Sequence, residues 1–452
     1  MAEEKKQAAI RFSTPEIDGR YLQLPGVLPF LQIVASIKPF LSVYKVPTPD
    51  TSQLGEDAVI YHPVCTGICG TDIDLVRLRK GAYAISDVPN VPPEKTGPIF
   101  KALNVFGRLL GWGPTDRRTL RSFTLGHEIV SLNSNGQLGV IYPLFSCFSK
   151  FSPDQYCRNC QNGLEHLCLR IQEGPIRGIS FGTGAVTQNG IPLGGGLQET
   201  LVGFEHHFIS VDEAWLKERD LEETLKTLVM ADAYACGVNG VEMITPQAMD
   251  KDTQILIIGM GAIGFSVMDY LKQNGFTNIV VLTKYSQQSE LVKEYGFTPV
   301  GITANNHAET LIEISGGKWE NVGLNKWVRG GFPVVFECVG SEKSISDAFL
   351  FTRENGQMVA LGLPKQSYFD WYIPGRKQIN AHFPFWASRG HFEIALGHLQ
   401  KIPEICSRIV NISHSLSDKD GVMDAFFPKK RGVYVKNAVL IRPLDEIKRK
   451  LS

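Results

Sequence analysis

A glycine-rich turn directly after an apolar run is the feature that most restricts the fold of this chain. The run Ile255–Ile258 is followed by Gly259, Gly261 and Gly264. The first glycine permits a tight turn, the second lets the backbone approach a pyrophosphate, and the third allows a helix to pack closely on the strand. In the order strand, turn and helix, this spacing predicts a dinucleotide-binding site on a parallel sheet.

The residues that flank this turn indicate which cofactor to expect. Peptide N–H groups at Ala262 and Ile263, where the helix begins, would face the phosphates of the dinucleotide. An Asp or Glu about 20 residues farther on usually binds the ribose hydroxyls of NAD. Here the next strand ends in Thr283 and Lys284, without a carboxylate. Because a hydroxyl and a cation suit a 2′-phosphate, the sequence favours NADP(H), with NAD as the alternative.

The chain divides into regions with different hydrophobic patterns. From residue 253 onward, apolar strands alternate with helical segments, which is typical of a doubly wound parallel α/β sheet. The earlier residues form short β-prone runs broken by Gly, Pro and polar turns. Similar runs return near the carboxyl end. We therefore expect a β-rich domain over 1–237 that is rejoined by 407–452, and a dinucleotide-binding domain over 238–406.

Length and composition exclude several other classes of protein. The 452 residues, 43% of them apolar, are enough for more than one core. Lys plus Arg equals Asp plus Glu, 46 each, so no charge surplus points to nucleic acid. The sequence has no apolar run of the roughly 18 residues that span a bilayer, and its start does not resemble a secretory signal. We expect a cytoplasmic protein that binds a small-molecule substrate, with no nucleic acid and no membrane span.

Residues 81–120 fit neither of these patterns. They contain five prolines and an apolar stretch from Ile99 to Trp112. We interpret the segment as an insertion that carries one amphipathic helix packed on the surface, with a lid as the alternative.

The nine cysteines are unevenly spread, which favours metal sites over disulfides in a chain without an export signal. They form two groups and three single positions: Cys65 with Cys69; Cys147 with Cys157, Cys160 and Cys168; and Cys236, Cys338 and Cys406.

Two short motifs carry a resemblance to a known family. They are Gly67-Ile-Cys69-Gly-Thr71-Asp72 and Gly126-His127-Glu128, in this order ahead of the glycine-rich turn. From about residue 57 to 441, apart from 81–120, the chain resembles the zinc-containing medium-chain dehydrogenase/reductase family, which includes the alcohol dehydrogenases. The resemblance implies an α/β fold with a GroES-like catalytic domain and a Rossmann domain, assembled as a homodimer or homotetramer.

The resemblance also implies that Cys69 and His127 bind a catalytic zinc ion. A thiolate and an imidazole suit Zn²⁺, and an open position would take the oxygen of an alcohol or a carbonyl group. Thr71 would hydrogen-bond this oxygen and begin a proton relay. Asp72 would support the ligands, and Glu128 would lie behind or beside the metal.

Two features of this expected site stay open. The family's third zinc ligand corresponds to Asp232 at the start of a helix, and Cys236, four residues later, is its rival. A carboxylate oxygen is an acceptable zinc ligand. Asp74 stands where the family often has a relay histidine, so the exit route of the proton is open.

A second metal site is expected in the larger cysteine group. The spacing of Cys157, Cys160 and Cys168 resembles that of the last three ligands of the family's structural zinc. The fourth ligand would be Cys147, in an enlarged loop, or Asp154. Because tetrahedral structural sites prefer thiolates, Cys147 is favoured.

The expected substrate is argued from Glu199, Phe145 and Trp386. Glu199 and the stretch from Trp386 to Phe392 resemble the glucose dehydrogenase branch of the family. Where that branch grips sugar hydroxyls with Asn, however, this chain has Phe145 and Trp386. Aromatic walls bury apolar ligand surface and leave hydroxyls unpaired, so we hypothesise a hydrophobic alcohol, aldehyde or ketone, unless both rings belong to the core.

Two other functions remain as alternatives. Within enzymes, the glucose dehydrogenase-like features favour a sugar or polyol dehydrogenase. From another class, Asp232 in place of the usual ligand and the missing relay histidine favour a non-catalytic scaffold or sensor that binds NADP(H).

Overall fold

The computed structural model describes residues 6–13, 17–18, 36–37, 40–47, 57–76, 123–183, 186–188, 191–245, 247, 249–302, 307–322, 325–362, 371–429 and 432–451. The predicted amphipathic helix in 81–120 lies outside these residues.

The strands share short lengths and are, in chain order, β1 Lys6–Ser13, β2 Ile17–Asp18, β3 Ser36–Ile37, β4 Phe40–Pro47, β5 Val59–Ile68, β6 Phe123–Thr124, β7 Glu128–Leu132, β8 Leu138–Ile141, β9 Ile176–Arg177, β10 Thr187–Gln188, β11 Ile191–Pro192, β12 Leu201–Gly203, β13 Phe208–Ser210, β14 Ile255–Ile258, β15 Ile279–Thr283, β16 Thr298–Gly301, β17 Lys318–Val322, β18 Asn325–Arg329, β19 Phe332–Glu337, β20 Thr352–Ala360, β21 Asn380–His382, β22 Val410–Ser415 and β23 Lys436–Leu440.

The α-helices are α1 Gly70–Val76, α2 Arg158–Gln161, α3 Glu213–Lys217, α4 Leu221–Leu228, α5 Ala231–Glu242, α6 Ala262–Gln273, α7 Ser286–Glu294, α8 His307–Ser315, α9 Glu342–Phe351, α10 Tyr372–Lys377, α11 Arg389–Leu399, α12 Pro403–Ile409, α13 Lys419–Phe426 and α14 Leu444–Leu451. Short 3₁₀ turns occur at Cys147–Ser149, Pro153–Gln155, Glu165–Leu167 and Glu205–His207.

The second half of the chain forms the predicted parallel sheet. Its strand order is β16-β15-β14-β19-β20-β21, and each neighbouring pair is parallel. Side chains of a strand alternate between the two faces. Ile255 and Ile257 accordingly join one apolar cluster, whereas Leu256 and Ile258 join another on the opposite face. Burial on both faces explains why this strand reads as a continuous apolar run.

The first half forms a mainly antiparallel sheet in the order β13-β8-β7-β5-β23-β22, and β12 also pairs with β5. The central strand β5 pairs with β7 on one side, where Gly67 lies opposite Glu128. On its other side it pairs with β23, where Ile68 lies opposite Asn437. The tail of the chain therefore rejoins the first sheet. This register brings residues from three distant parts of the sequence to one end of β5.

Helix α5 lies between the two sheets and carries Asp232 in its first turn. It packs on α6, α11 and β7, which links both regions. The predicted domain boundary between residues 237 and 238 falls inside this helix, and the division stays a prediction.

The sequence pattern did not indicate one element of the second region. Strands β17 and β18 form an antiparallel two-stranded sheet apart from the parallel one. Trp327 and Val328 of this hairpin are buried, and Val328 joins the cluster on one face of the parallel sheet. Within the described residues, no helix combines the length and the apolar character that crossing a membrane requires.

Candidate functional site

Asp72 connects the two loops that carry Cys69 and His127. Its Oδ2 accepts a hydrogen bond of 2.9 Å from the backbone N–H of Cys69, and its Oδ1 accepts one of 3.3 Å from Gly126. Asp72 is fully buried, with its Oδ1 3.8 Å from Nδ1 of His127. One carboxylate at the start of α1 thus fixes the end of β5 against the turn that precedes β7.

Cys69, His127 and Glu128 each direct one possible ligand atom to a common point. These three atoms all lie within 4.8 Å of one another. His127 is buried, and its Nδ1 has no hydrogen-bond partner. Burial disfavours a charged His127, yet the neighbouring Asp72 and Cys69 outweigh it and raise the pKa of the imidazole to about 10. The cluster therefore attracts a cation, and its thiolate, imidazole and carboxylate are donors that Zn²⁺ prefers.

Asp232 and Trp386 lie beside this cluster. Nε1 of Trp386 donates a hydrogen bond of 3.3 Å to Oδ2 of Asp232. The indole also meets the His127 ring edge to face, with ring centroids 5.5 Å apart. Burial raises the pKa of Asp232 to about 6, against the opposing effect of His127. Cys236 follows one turn later on α5, and burial raises the pKa of its thiol well above the usual range.

Lys436 is a member of the site that the sequence did not predict. Its Nζ forms an ion pair with Oε2 of Glu128, and both side chains are buried. Burial disfavours its charge, but Glu128 and Cys69 outweigh this and raise the pKa of the amine. The sequence did contain one signal for a buried charge, namely a lysine within the apolar run of a predicted strand. Its partner Glu128, however, lies more than half the chain away.

Thr71 and Asp74 are both half-buried members of α1, directly after Cys69. Thr71 lies in the first turn of this helix. Their predicted roles in proton transfer stay predictions.

The four cysteines of the larger group meet in a separate lobe. The sulfur atoms of Cys147, Cys157, Cys160 and Cys168 all lie within 4.8 Å of one another. The Sγ atoms of Cys147 and Cys168 are 3.7 Å apart, which is too far for a disulfide. A hydrogen bond from Cys160 is the main cause that lowers the pKa of Cys168 to about 5.

Asp154, the other candidate for this lobe, is exposed in the turn Pro153–Gln155 and is not part of the sulfur group. Four converging thiols form the donor set of a structural zinc site.

The glycine-rich turn adopts the geometry that a dinucleotide requires. Gly259 has φ of 94°, in the left-handed region, and a Cβ there would lie 2.3 Å from Val339. A Cβ on Gly264 would lie 1.9 Å from the carbonyl oxygen of Gly259. Gly261 caps the amino end of α6 and is exposed, with Ala262 and Ile263 half-buried beside it. The backbone N–H groups of this turn are thus open to a phosphate.

The strand end after β15 is arranged differently from what we expected. Thr283 is fully buried, and its Oγ1 lies 2.7 Å from Oγ of Ser289. Its hydroxyl therefore faces α7 rather than a ribose, which corrects its expected side-chain contact with the cofactor. Lys284 is exposed. Gln288 accepts a hydrogen bond of 3.1 Å from the N–H of Lys284 and donates one of 2.8 Å to the carbonyl of Met260, joining the two strand ends.

Phe145 was expected in a substrate pocket, but the structure places it in the core. It has no exposed surface and packs edge to face on Phe181 and His207, each with ring centroids 4.6 Å apart. An aromatic residue buried on all sides cannot contact a substrate in this conformation. Glu199 is half-buried, and its carbonyl oxygen accepts a hydrogen bond of 2.6 Å from Arg442.

Comparison with known sequences gives a family model and relatives of low identity. A model of the family described as zinc-binding dehydrogenase matches residues 262–400. Alcohol dehydrogenase-like 1 of Arabidopsis thaliana is 25% identical over 283 residues, which are 57% of this chain and 64% of that protein. The chain thus spans slightly less than two thirds of this relative's length.

Solved structures share the fold along nearly the whole chain. L-idonate 5-dehydrogenase from Escherichia coli has a TM-score of 0.60 and 16% identity, covering 97% of this chain and 99% of that one. Haloferax mediterranei glucose dehydrogenase, in complex with NADP, Zn and gluconolactone, has a TM-score of 0.62 and 14% identity, covering 97% and 100%. These structures combine the GroES-like and Rossmann domains that the sequence predicts. In fold and in the sequence of residues 262–400, the chain is therefore similar to zinc-binding dehydrogenases.

Proposed function

We propose that this protein is a zinc-dependent oxidoreductase that transfers hydride between NADP(H) and a hydrophobic alcohol/aldehyde or ketone pair. The observation that carries the proposal is the convergence of Cys69 and His127 with Asp232 alongside, in a chain that also forms a glycine-rich dinucleotide turn.

Cys69, His127 and Asp232 would hold the catalytic zinc. Zinc, when bound, polarises a carbonyl oxygen or favours ionisation of an alcohol. Asp232 is preferred over Cys236 because the indole N–H of Trp386 orients its carboxylate beside the His127 ring. Glu128 lies in the same cluster, but the ammonium group of Lys436 already neutralises it.

The protein's own residues would manage the proton. Thr71 follows Cys69 and would donate to, or accept from, the substrate oxygen. Asp74, on the same short helix, would be the next carrier toward solvent, since its side chain is half-exposed. Asp72 would keep both ligand loops in place without taking part in proton transfer, because its oxygens are occupied by backbone N–H groups.

The cofactor would bind along the turn from Gly259 to Gly264, with its phosphates at the amino end of α6. We infer NADP(H) because Lys284 is exposed at the end of β15, where NAD enzymes place a carboxylate. The side chain of Thr283 does not support this choice, because its hydroxyl lies against Ser289. A structural zinc in the four-cysteine lobe would stabilise the first domain.

For the substrate, the indole of Trp386 at the metal cluster favours an apolar ligand. The observation that favours a sugar or polyol as substrate is the position of Glu199. This residue is half-buried, and its backbone carbonyl accepts a hydrogen bond from Arg442. Relatives named as L-idonate and glucose dehydrogenases agree with this second candidate. The dimer or tetramer and the cytoplasmic location stay predictions.

The test is NADPH oxidation by the purified protein, followed by absorbance, against aldehydes, ketones and sugars, with NADH in parallel. We expect turnover of hydrophobic carbonyls that chelators abolish and zinc restores. Cys69→Ser should remove this activity, whereas Cys406→Ala, at a buried cysteine outside both metal groups, should retain it. Turnover of sugars alone would favour the second candidate. Tight NADPH binding without turnover of any substrate would favour a non-catalytic scaffold.

A further inference from the structure

Trp386 has a backbone conformation that few non-glycine residues adopt. Its φ is 54°, in the left-handed region, which costs energy for a bulky residue unless the surroundings compensate. The carbonyl of Trp386 accepts a hydrogen bond of 2.7 Å from Nδ2 of Asn239, a buried residue of α5. Helix α5 therefore contacts Trp386 twice, at its backbone through Asn239 and at its indole through Asp232.

The residues after Trp386 are tied to the first region and to the four-cysteine lobe. The carbonyl of Ala387 accepts a hydrogen bond of 3.4 Å from the hydroxyl of Tyr142. The backbone N–H of Arg389 donates to Oε1 of Glu165. Glu165 lies between Cys160 and Cys168 in the sequence of the lobe and is buried. The Arg389 guanidinium adds a hydrogen bond of 3.1 Å to the carbonyl of Phe208.

We propose that Trp386 is a positioning residue for the Asp232 carboxylate, and that the segment 386–389 couples this position to the four-cysteine lobe. The inference rests on the proposed function, because Asp232 is taken there as a zinc ligand. A carboxylate with a fixed donor on one oxygen keeps a single orientation and presents its other oxygen to the metal. The same indole packs on the His127 ring, so one side chain orients two of the three ligands.

The first test separates this role from that of a substrate-pocket wall. Trp386→Phe keeps an aromatic ring next to His127 but removes the N–H that Asp232 accepts. Outer partners of metal ligands typically contribute about 10–100-fold in metal affinity. In competition with a chelator, we expect the affinity of the Cys69 site for zinc to fall at least about tenfold. The visible spectrum of the cobalt-substituted protein should change, and kcat should fall more than KM changes.

Trp371→Phe is the matched control, because it makes the same substitution at an exposed tryptophan that is 74% accessible. It should leave zinc affinity and the cobalt spectrum unchanged. A Trp386→Phe protein with wild-type zinc affinity and spectrum, altered only in KM, would overturn the inference while the proposed function stands. A wild-type protein that binds no zinc at Cys69 would overturn the proposed function and this inference together.

The second test addresses the coupling to the lobe. Glu165→Ala removes the acceptor for the Arg389 N–H, whereas Glu165→Gln retains a carbonyl oxygen in the same place. We expect the alanine variant to show the weaker zinc binding of Trp386→Phe at the Cys69 site, with the lobe zinc retained, and the glutamine variant to resemble the wild type. Equal behaviour of the two variants, with the lobe zinc bound in both, would refute the coupling.

Discussion

Lys436 and Glu128 form a buried ion pair whose side chains are 4% and 1% exposed. The pair lies at the end of β5, where β7 and β23 flank the central strand. A buried carboxylate without a partner is strongly unfavourable, so the two residues depend on each other.

Lys436→Met tests this dependence. Because it leaves Glu128 buried and unpaired, we expect the free energy of unfolding to fall by about 3–5 kcal/mol. Urea denaturation would measure the loss. The double variant Lys436→Met with Glu128→Gln should recover a large part of it, because the uncompensated charge is removed. If the single and double variants lost the same free energy of unfolding, Lys436 and Glu128 would not depend on each other.

Gly67 leaves the space that this ion pair occupies. A Cβ at Gly67 would lie 2.2 Å from Oε2 of Glu128 and 2.9 Å from Cε of Lys436. We expect Gly67→Ala to destabilise the protein by about 1–3 kcal/mol, as overpacking does. Gly397→Ala is the control: it lies exposed within α11, where, outside the backbone of the helix itself, no described atom comes within 4 Å of the added carbon. It should be neutral or slightly stabilising in thermal unfolding.

The four-cysteine lobe makes a prediction about metal content. Cys147→Ser should lose about one zinc ion per chain, because its sulfur is one of four converging donors. Asp154→Ala should keep the full zinc content, since Asp154 is exposed and outside the group. Elemental analysis of both variants distinguishes the two candidates for the fourth ligand. Zinc loss in Asp154→Ala but not in Cys147→Ser would reverse the assignment.

Lys284 makes a prediction about cofactor preference. Lys284→Asp should lower kcat/KM for NADPH at least tenfold, about 1.4 kcal/mol, because the carboxylate repels a 2′-phosphate. The value for NADH should rise or stay constant, since a carboxylate suits the ribose hydroxyls. Lys293→Asp applies the same charge change on the exposed face of α7 and should alter neither value. If both variants changed kcat/KM for NADPH equally, the effect would be one of net charge and Lys284 would have no specific role in binding the 2′-phosphate.

Two adjacent histidines make a prediction about acid stability. Burial, followed by the charge of Arg389, lowers the pKa of His206 to about 3, and burial lowers that of His207 well below its usual range. At low pH the folded protein therefore binds fewer protons at these two histidines than the unfolded chain does. Their contribution to the free energy of unfolding is fully present above about pH 6.5 and is lost as the pH falls toward 3.

As the pH falls, each such histidine can lower the free energy of unfolding by up to about 1.4 kcal/mol per pH unit. Urea denaturation at pH 7, 6 and 5 should show a smaller decrease for His206→Gln than for the wild type. His382→Gln, on the edge strand β21, serves as the control and should keep the wild-type slope. Parallel slopes in all three proteins would refute the prediction.

The parallel sheet could be predicted from the sequence because its signals are local. A strand covered on both faces is a continuous apolar run. Gly259 is required by its own left-handed φ, and Gly264 by its contact with the Gly259 carbonyl five residues earlier. The motifs around Cys69 and His127 are also recognisable as short runs of sequence, although the Asp72 carboxylate that joins them accepts a hydrogen bond from Gly126, 54 residues away.

The remaining features depend on contacts that local patterns do not encode. The Glu128 partner, Lys436, is set by the register of β23 on β5. The inward direction of Thr283 is set by Ser289 on the following helix. Phe145 reads as an aromatic wall in the sequence, but the rings of Phe181 and His207 surround it in the fold. In each case tertiary packing decides where the side chain lies.

The position of β23 in the first sheet has a consequence for biosynthesis. During translation the chain emerges from its amino end, so β5 and β7 are available long before Lys436 has been made. Until then the end of β5 from Cys65 to Ile68 lacks its partner β23, and Glu128 lacks the charge of Lys436. The first sheet can therefore be completed only after β23 has left the ribosome, while the β14–β15 part of the parallel sheet can form earlier. Nascent chains that stop before Lys436 should accordingly need protection by chaperones at this edge.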